Sequence, residues 1–387
     1  MGFSNRVVVL VGFLAGCTGT WSEVGMELPA DGHALENPPR AEQASQPQPE
    51  AVSPAVMRAR VGAFWAWWEK HEPDVVAGLT SGLSPGLADQ ISEEVGMLHP
   101  GLGWEVGPGN TTDYSLSLRS GGDPMLRRIA ELWVRGKKTP SERFEFRTSV
   151  QPGPVHELAD KVLQLDGIEL DIAQFRFLVQ EDDTRRLFSL QAHHPVLVGA
   201  SSDAASGACF AILDAALGEA SIERWVESVE VVPSCSDGCI DLTALRSLVD
   251  RRAKGWQASP ESWARAEGAS PDTGAPILLA LDFGPRRWDH PLKDRYFEVQ
   301  LPYTGGQDGL PDSAELDRLA RATDTLVADL PADAVLLGWR TGDNERAVFG
   351  YYDSESGFEQ WLTGKATGLG RPFTIHTDAD VYWSQRP

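Results

Sequence analysis

The chain has few basic residues for its acidic content: 34 Lys and Arg stand against 56 Asp and Glu, a formal net charge of −22. Binding to nucleic acid depends on clusters of Lys and Arg that contact phosphates. The densest basic groups, in the stretches Arg135–Lys138 and Asp250–Gly255, are short. We therefore expect no nucleic-acid partner, and interpret the acidity as a contribution to solubility.

The sequence also lacks the common catalytic and metal-binding patterns. It has no paired histidines at the spacing of zinc proteases, no Gly-x-Ser-x-Gly turn and no phosphate-binding loop. We expect no cofactor and no metal site. A hydrolase would have to assemble its site from distant residues, and the candidates are His193, His194, His376 and Asp378. We keep this enzyme as the alternative to a non-catalytic protein.

The sequence also lacks an apolar run long enough to span a membrane. The run from Val7 to Cys17 is shorter than the roughly 20 residues that span a bilayer. It follows Arg6 and ends in small residues, which is the layout of a signal peptide over residues 1–16. Leu14-Ala15-Gly16-Cys17 resembles a bacterial lipobox, in which lipid is attached to the cysteine. Thr18, rather than Asp, then favours the outer membrane. The alternative is a buried N-terminal strand with an ordinary core cysteine.

Residues 17–53 contain the lipidation candidate Cys17 and then a segment rich in Pro, Gln, Glu and Ala. With so few large apolar side chains, this segment cannot compensate the entropy lost on ordering. We interpret it as a disordered tether with a reach of roughly 30–35 Å. It would hold a folded body away from the lipid membrane, where a periplasmic or surface protein could bind. An unlipidated disordered tail is the other interpretation.

Cysteine is scarce, with four in the chain. Cys235 and Cys239 share a short polar loop, and a disulfide between them suits an oxidising periplasm. A metal site would need two further ligands, and a redox pair would favour the Cys-x-x-Cys spacing. Cys209 lies in an apolar helical pattern and is interpreted as an inert core thiol.

The remaining sequence predicts an α+β fold with two or three units. An N-terminal α+β domain covers 54–150, a middle α+β domain covers 154–255, a linker covers 256–276 and a C-terminal domain covers 277–387. Asp123 is expected to cap a helix that begins at Pro124. Asp312 and Glu315 have the spacing of a capping box and are expected to begin a second helix. The C-terminal domain has the element order β-β-α-β-β-α-β. This order predicts an antiparallel sheet with helices on one face, similar to a ferredoxin-like sandwich.

Several C-terminal motifs resemble the bacterial family called domain of unknown function 695. They are the Gly-Leu-Pro turn at 309–311 with its helix, the stretch "GWRTGDNERAVFGYY" and the late pair Asp380 and Trp383. Looser likeness extends from Phe64 to Trp383. The chain departs from the pattern at Asp343–Glu345 and at Val381. The resemblance implies no catalytic residue. A more distant likeness to regulators of an RNA-degrading endonuclease would imply an intracellular inhibitor, which the signal peptide argues against.

Four residues are candidates for a binding surface. Trp67 falls outside the apolar face formed by its neighbours Phe64, Trp65 and Trp68, although a role in core or domain packing is the simpler interpretation. His193, His194 and His376 are the other three. Adjacent residues on a strand point to opposite faces, so His193 and His194 cannot share one ligand without distortion. The sequence favours an outer-membrane lipoprotein that binds a protein or the cell wall.

Overall fold

The computed structural model describes residues 10–12, 52–81, 84–165, 168–259, 262–270 and 273–385. It confirms the α+β class. The chain divides into two compact units. The first takes the described residues up to Asp182 together with Leu187–Lys254, and the second takes Asp183–Arg186 and the described residues from Gly255 onward.

The first unit begins with three helices and a four-stranded sheet. These elements are α1 (Pro54–Ser81), α2 (Pro85–Leu98), α3 (Pro124–Gly136), β1 (Leu10–Gly12), β2 (Gly103–Pro108), β3 (Tyr114–Arg119) and β4 (Phe144–Arg147), with the strands in the order β1-β2-β3-β4. The pairs β1–β2 and β2–β3 are antiparallel, while β3–β4 is parallel. Asp123 caps α3 as predicted, accepting from the N–H groups of Met125 and Leu126.

Aromatic side chains fill the core of this part. Trp65 stacks on Trp133 with centroids 5.0 Å apart, and its indole nitrogen donates to the Trp133 carbonyl at 2.7 Å. Phe64 and Trp68 are each no more than 1 % exposed. The apolar helical face predicted for the first helix therefore packs into the core, and a helix of otherwise weak periodicity is held by large buried rings.

The strand β1 lies inside the predicted signal peptide and pairs with Trp104–Val106 at the edge of the sheet. It occupies the place of the alternative N-terminal strand, and cleavage before Cys17 would remove it. Cys17 itself, and the predicted tether up to residue 51, lie outside the described residues.

The rest of the first unit continues the α+β pattern with short helices and two smaller sheets. These elements are α4 (Val155–Ala159), β5 (Val162–Leu165), β6 (Ile168–Asp171), β7 (Arg176–Asp182), β8 (Leu187–His193), α5 (Ser202–Leu217), α6 (Glu219–Trp225), β9 (Val226–Val231) and α7 (Leu242–Ala258). Strands β7, β8 and β9 form one sheet, and β5 and β6 another. The predicted boundary between residues 150 and 154 lies within this unit, because Glu219 accepts hydrogen bonds from the backbones of Ser120 and Val150.

The second unit contains a six-stranded antiparallel sheet and two helices. These elements are β10 (Trp263–Ala269), β11 (Pro276–Asp282), β12 (Arg295–Pro302), α8 (Ser313–Val327), β13 (Ala334–Gly342), β14 (Glu345–Tyr352), α9 (Phe358–Thr367) and β15 (Thr374–Ala379), with strand order β10-β11-β13-β14-β12-β15. Both helices pack on one face, where Val299, Leu326 and Leu362 share a core. A turn at Gly342–Asn344 joins β13 to β14.

The predicted linker at 256–276 contains regular structure instead. Its first residues complete α7, and Trp263–Ala269 form the strand β10 against β11. Most residues of β10 are exposed, and its sequence lacks the alternation of apolar and polar residues that predicts a strand. The six-stranded sheet carries β10 and β11 beyond the four strands of a β-α-β-β-α-β unit. The ferredoxin-like detail stays a prediction.

Candidate functional site

The two adjacent histidines occupy different environments at the end of β8. His194 is 1 % exposed, packs against Phe175 and bonds through Nε2 to the Asp171 carbonyl at 3.0 Å. Its Nδ1 accepts from the Val196 N–H and so caps the short turn that follows. Burial lowers the pKa of the His194 imidazole. This buried capping residue is not part of an exposed surface, contrary to the sequence-based assignment.

His193 and Trp67 are both half-buried. His193 Nδ1 lies 3.2 Å from the Val232 carbonyl, next to the end of β9. Trp67 packs against the aromatic core and stacks on His71 with centroids 4.8 Å apart. The simpler interpretation of Trp67, a contribution to packing, therefore has direct contacts to support it.

His376 is exposed on β15 and bonds through Nε2 to Gln300 Oε1 at 3.0 Å. Asp378 is two residues along the same strand and thus on the same face. In the sheet register, His376 lies opposite Glu298 and Asp378 opposite Tyr296. The structure therefore brings two of the four hydrolase candidates onto one face, while His193 and His194 have their own partners in the first unit.

That face of the sheet, opposite the helices, carries a connected polar network. Glu298 accepts from the Tyr296 hydroxyl at 2.9 Å, from Gln300 Nε2 at 2.9 Å and from Arg340 Nη2 at 3.1 Å. Arg340 also reaches Glu345 at 3.4 Å. We call these residues, together with His376, the open-face network. Sequence reasoning found only His376, although strand alternation places Glu298 and Gln300 on one face.

The electrostatics of the open-face network hold Glu298 ionised. Burial alone would raise the pKa of Glu298, but hydrogen bonds from Gln300, Tyr296 and Arg340 outweigh it and the pKa is lowered. Burial raises the pKa of Tyr296, so this phenol stays a donor. An ionised carboxylate that is fixed by three donors is suited to binding a further donor, and less to proton transfer near neutral pH.

A second polar group, in the first unit, was missed from the sequence. Arg127 on α3 is 1 % exposed and pairs with Glu219 at 3.0 Å and Glu223 at 2.6 Å. Glu219 also accepts from the N–H groups of Ser120 and Gly121 at 2.8 and 2.9 Å. We call Arg127, Glu219, Glu223 and Ser120 the ion cluster. Arg127 lies three residues before the buried Ala130 and therefore on the same apolar face of α3. A charged residue on that face was the feature of the sequence that could have indicated a buried ion pair.

Two carboxyl groups beside the ion cluster are shifted toward their protonated forms. Burial raises the pKa of Asp214 to about 7, with Glu219 and Glu223 adding to the shift and Arg119, at 3.2 Å, opposing it. Burial also raises the pKa of Glu105 on β2. Asp214 can therefore exchange a proton near neutral pH. Its neighbours are partners of an ion pair, and they do not supply a nucleophile aligned with it.

Three of the four cysteines lie among the described residues. Cys235 and Cys239 form a disulfide with Cα atoms 6.2 Å apart. Cys209 is fully buried in α5, and burial raises the pKa of its thiol to about 12. A thiol held neutral in this way is a poor nucleophile.

The motif residues of the C-terminal unit have structural partners. Asp380 accepts from the Tyr351 hydroxyl at 2.6 Å, and Trp383 stacks on the Tyr351 ring at 4.3 Å. The Gly-Leu-Pro turn contacts the β13–β14 turn, where the Asn344 N–H donates to the Gly309 carbonyl at 3.1 Å. Gly309 has a φ of +73°, a backbone conformation that favours glycine.

Across the part of the chain that the structure describes, no group of three or more His, Cys, Asp or Glu side chains could hold a metal ion. Among the same residues, no single helix is long and apolar enough to cross a membrane. The bent pair Ala204–Leu217 and Glu219–Trp225, at 105°, meets that test by length and composition. Comparison with protein-family models, curated proteins and solved structures finds no match. The resemblance to domain of unknown function 695 stays a prediction.

Proposed function

We propose that this protein is an outer-membrane lipoprotein whose folded units bind a protein or cell-wall partner without catalysing a reaction. The observation that carries the proposal is the sequence Leu14-Ala15-Gly16-Cys17 at the end of an apolar run. It gives a cleavage site and the thiol that would receive lipid. The first helix of the body begins at Pro54, so the Pro-rich segment after Cys17 has the position of a tether.

The disulfide supports export. Short-range disulfides are stable in the periplasm and rare in the reducing cytosol. The loop that Cys235 and Cys239 close lies in the first unit, before α7. An intracellular nuclease inhibitor would have no comparable use for this bond.

The proposed binding surface is the open-face network of the second unit. His376 is the exposed member of the network. Three donors fix Glu298, so its carboxylate is already held in position before a partner binds. Preorganised polar groups of this kind reduce the entropy lost on binding. The expected partner therefore presents hydrogen-bond donors or a cationic side chain toward Glu298 and Glu345.

The experiment compares membrane fractionation of the wild-type protein with that of Cys17→Ala, together with the intact mass of each mature N-terminus. Wild type is expected in the outer-membrane fraction with an acylated residue 17, and the variant is expected to lose both properties. Recovery of both proteins in the cytoplasm at full length would overturn the proposal. Cross-linking with wild type and Glu298→Gln then tests the surface, since the variant should capture less partner.

A further inference from the structure

Arg346, near the start of β14, is a buried cation without a carboxylate partner. Its side chain is 6 % exposed and points to the helix-covered face, between Leu301 on β12 and Thr341 on β13. Nε donates to Thr341 Oγ1 at 2.9 Å, and Nη1 lies 3.4 Å from Thr323 Oγ1 on α8. Among the described residues, no carboxylate forms an ion pair with it.

This arrangement leaves charge and donors unsatisfied. A guanidinium has five N–H donors, and the two hydroxyl groups accept from only two of its nitrogens. A buried charge normally requires a counterion or several hydrogen bonds, because desolvation costs several kcal/mol per ion. Asp324 on α8 exerts a weak electrostatic attraction on Arg346, yet the hydrogen-bond partners of the guanidinium among the described residues are the hydroxyl groups of Thr323 and Thr341. The missing negative charge is therefore expected to come from a ligand.

Arg371 provides an independent observation. Its Nε is buried and has no hydrogen-bond partner within the described ranges, although Nη2 bonds to Glu315 at 3.0 Å. Arg371 is close enough to Arg346 to lower the pKa of the Arg346 guanidinium, after the larger effect of burial. Two guanidinium groups that approach each other with unused N–H donors are typical of an anion site.

A glycine-rich loop borders this site. Tyr303, which interacts electrostatically with Arg346, begins the loop and donates its hydroxyl to the Gly309 carbonyl at 2.9 Å. The loop is tied to the β13–β14 turn by a bond from the Gly305 N–H to Asn344 Oδ1 at 2.8 Å. A Cβ at Gly305 would lie 2.8 Å from the Leu310 carbonyl oxygen, so the close packing requires glycine.

We propose that Arg346, with Arg371 beside it, binds a small oxyanion, the carboxylate or phosphate group of a ligand. The guanidinium of Arg346 would donate through its unused N–H groups. Since so little of Arg346 is exposed, the group must be small, and the 303–311 loop is the segment that would admit it. The two motifs that sequence analysis singled out, the Gly-Leu-Pro turn and the stretch containing Thr341 and Arg346, then meet at one site.

The test is thermal unfolding of the purified full-length chain in mild detergent. It is titrated with sodium phosphate or sodium acetate, against sodium chloride at matched ionic strength. At least one oxyanion should raise the unfolding midpoint with a saturating concentration dependence that chloride does not reproduce. A response to phosphate alone, acetate alone or both identifies the accepted group. The absence of a saturable rise with either oxyanion would overturn the proposal.

Variants locate the effect. Arg346→Met, which keeps a similar side-chain length, should weaken the apparent affinity at least about tenfold, as expected for the loss of a hydrogen bond to a charged group. Arg318→Met is the matched control, because Arg318 also pairs with Glu315 but has a side chain that is 57 % exposed. If Arg346→Met does not fold, Arg371→Met takes its place. An affinity for the oxyanion equal to that of wild type, in whichever variant is used, contradicts the proposal. The fractionation of Cys17→Ala tests the lipoprotein proposal separately, so either proposal can fail without the other.

Discussion

Each of the two units buries an arginine almost completely, and the two arginines differ in what neutralises them. Arg127 in the first unit pairs with Glu219 and Glu223. Arg346 in the second unit has two threonine hydroxyls as its hydrogen-bond partners among the described residues. The first arrangement is that of a structural ion cluster, since the buried guanidinium is paired with two carboxylates. In the second, the buried guanidinium has hydroxyl partners and no ion pair with a described carboxylate, as expected of the proposed anion site.

The comparison shows why burial of a charged residue does not by itself indicate function. The acceptors decide the interpretation: Arg127 has two carboxylate partners, and Glu219 is held in addition by backbone N–H groups. Arg346, by contrast, forms no ion pair with a carboxylate among the described residues and is held by two threonine hydroxyls. Substitutions at the two arginines should therefore change stability in different ways.

The largest effect is expected for Arg127→Met. This change leaves Glu219 and Glu223 buried without their cation, and breaking a buried pair from one side costs about 3–5 kcal/mol of unfolding free energy. Urea unfolding of wild type and variant measures the difference. Arg135→Met on the same helix is the control, because its side chain is 62 % exposed and its pair with Glu131 should contribute at most about 1 kcal/mol. Equal losses in both variants would contradict a structural role of the ion cluster.

The second prediction concerns pH and Asp214. Because its pKa is raised from 3.8 to about 7 in the folded protein, the folded state binds a proton in this window that the unfolded state has released. The unfolding free energy should therefore fall as pH rises from 4 to 7, with a contribution of at most about 1.4 kcal/mol per pH unit. Asp214→Asn should flatten this dependence. Asp250→Asn, with a side chain 43 % exposed in the wild type, should not. The same slope in all three proteins would refute the assignment.

Much of the second unit could be predicted because its information is local. Asp312 does accept from the Glu315 N–H at the start of α8, and Gly342–Asn344 do turn between two alternating strands. The strand β10 could not be predicted, since its residues are mostly exposed and backbone pairing with β11 holds it. The ion cluster was also missed, because Arg127 and Glu223 are 96 positions apart and no local pattern links them.

The candidate sites show the same limit. Three histidines were candidates because imidazole is chemically versatile. Of these three, His194 is a buried cap, His193 is half-buried and His376 is exposed. The partners of Glu298 come from β12 and β13, whose pairing with β14 sets the network. Arg346 was present in the motif, whereas the lack of an ion pair between it and any described carboxylate is a property of tertiary packing.

The third prediction uses the disulfide, which belongs to the first unit alone. Replacing Cys235 and Cys239 by serine should lower the unfolding free energy by about 2 kcal/mol, the chain-entropy value for so short a loop. The unfolding transition that shifts in this double variant belongs to the first unit. The same transition should therefore shift in Arg127→Met. Reductant should reproduce the shift in wild type and leave the double variant unchanged. A reductant effect on the double variant would show that another group is responsible.

The smallest change in stability is expected for Arg346→Met measured without phosphate or acetate. Removing a buried, uncompensated cation should be neutral or should stabilise the protein by about 1 kcal/mol, because the desolvation cost of the charge disappears while the methionine fills much of the volume. Urea unfolding in chloride buffer measures this difference. A loss of 3 kcal/mol or more, similar to that expected for Arg127→Met, would show that Arg346 is compensated within the protein, and the two arginines would then be equivalent. The two arginines differ in role if Arg346→Met is as stable as wild type in chloride but less stable than wild type when the oxyanion is added. Only wild type would then gain stability from the ligand.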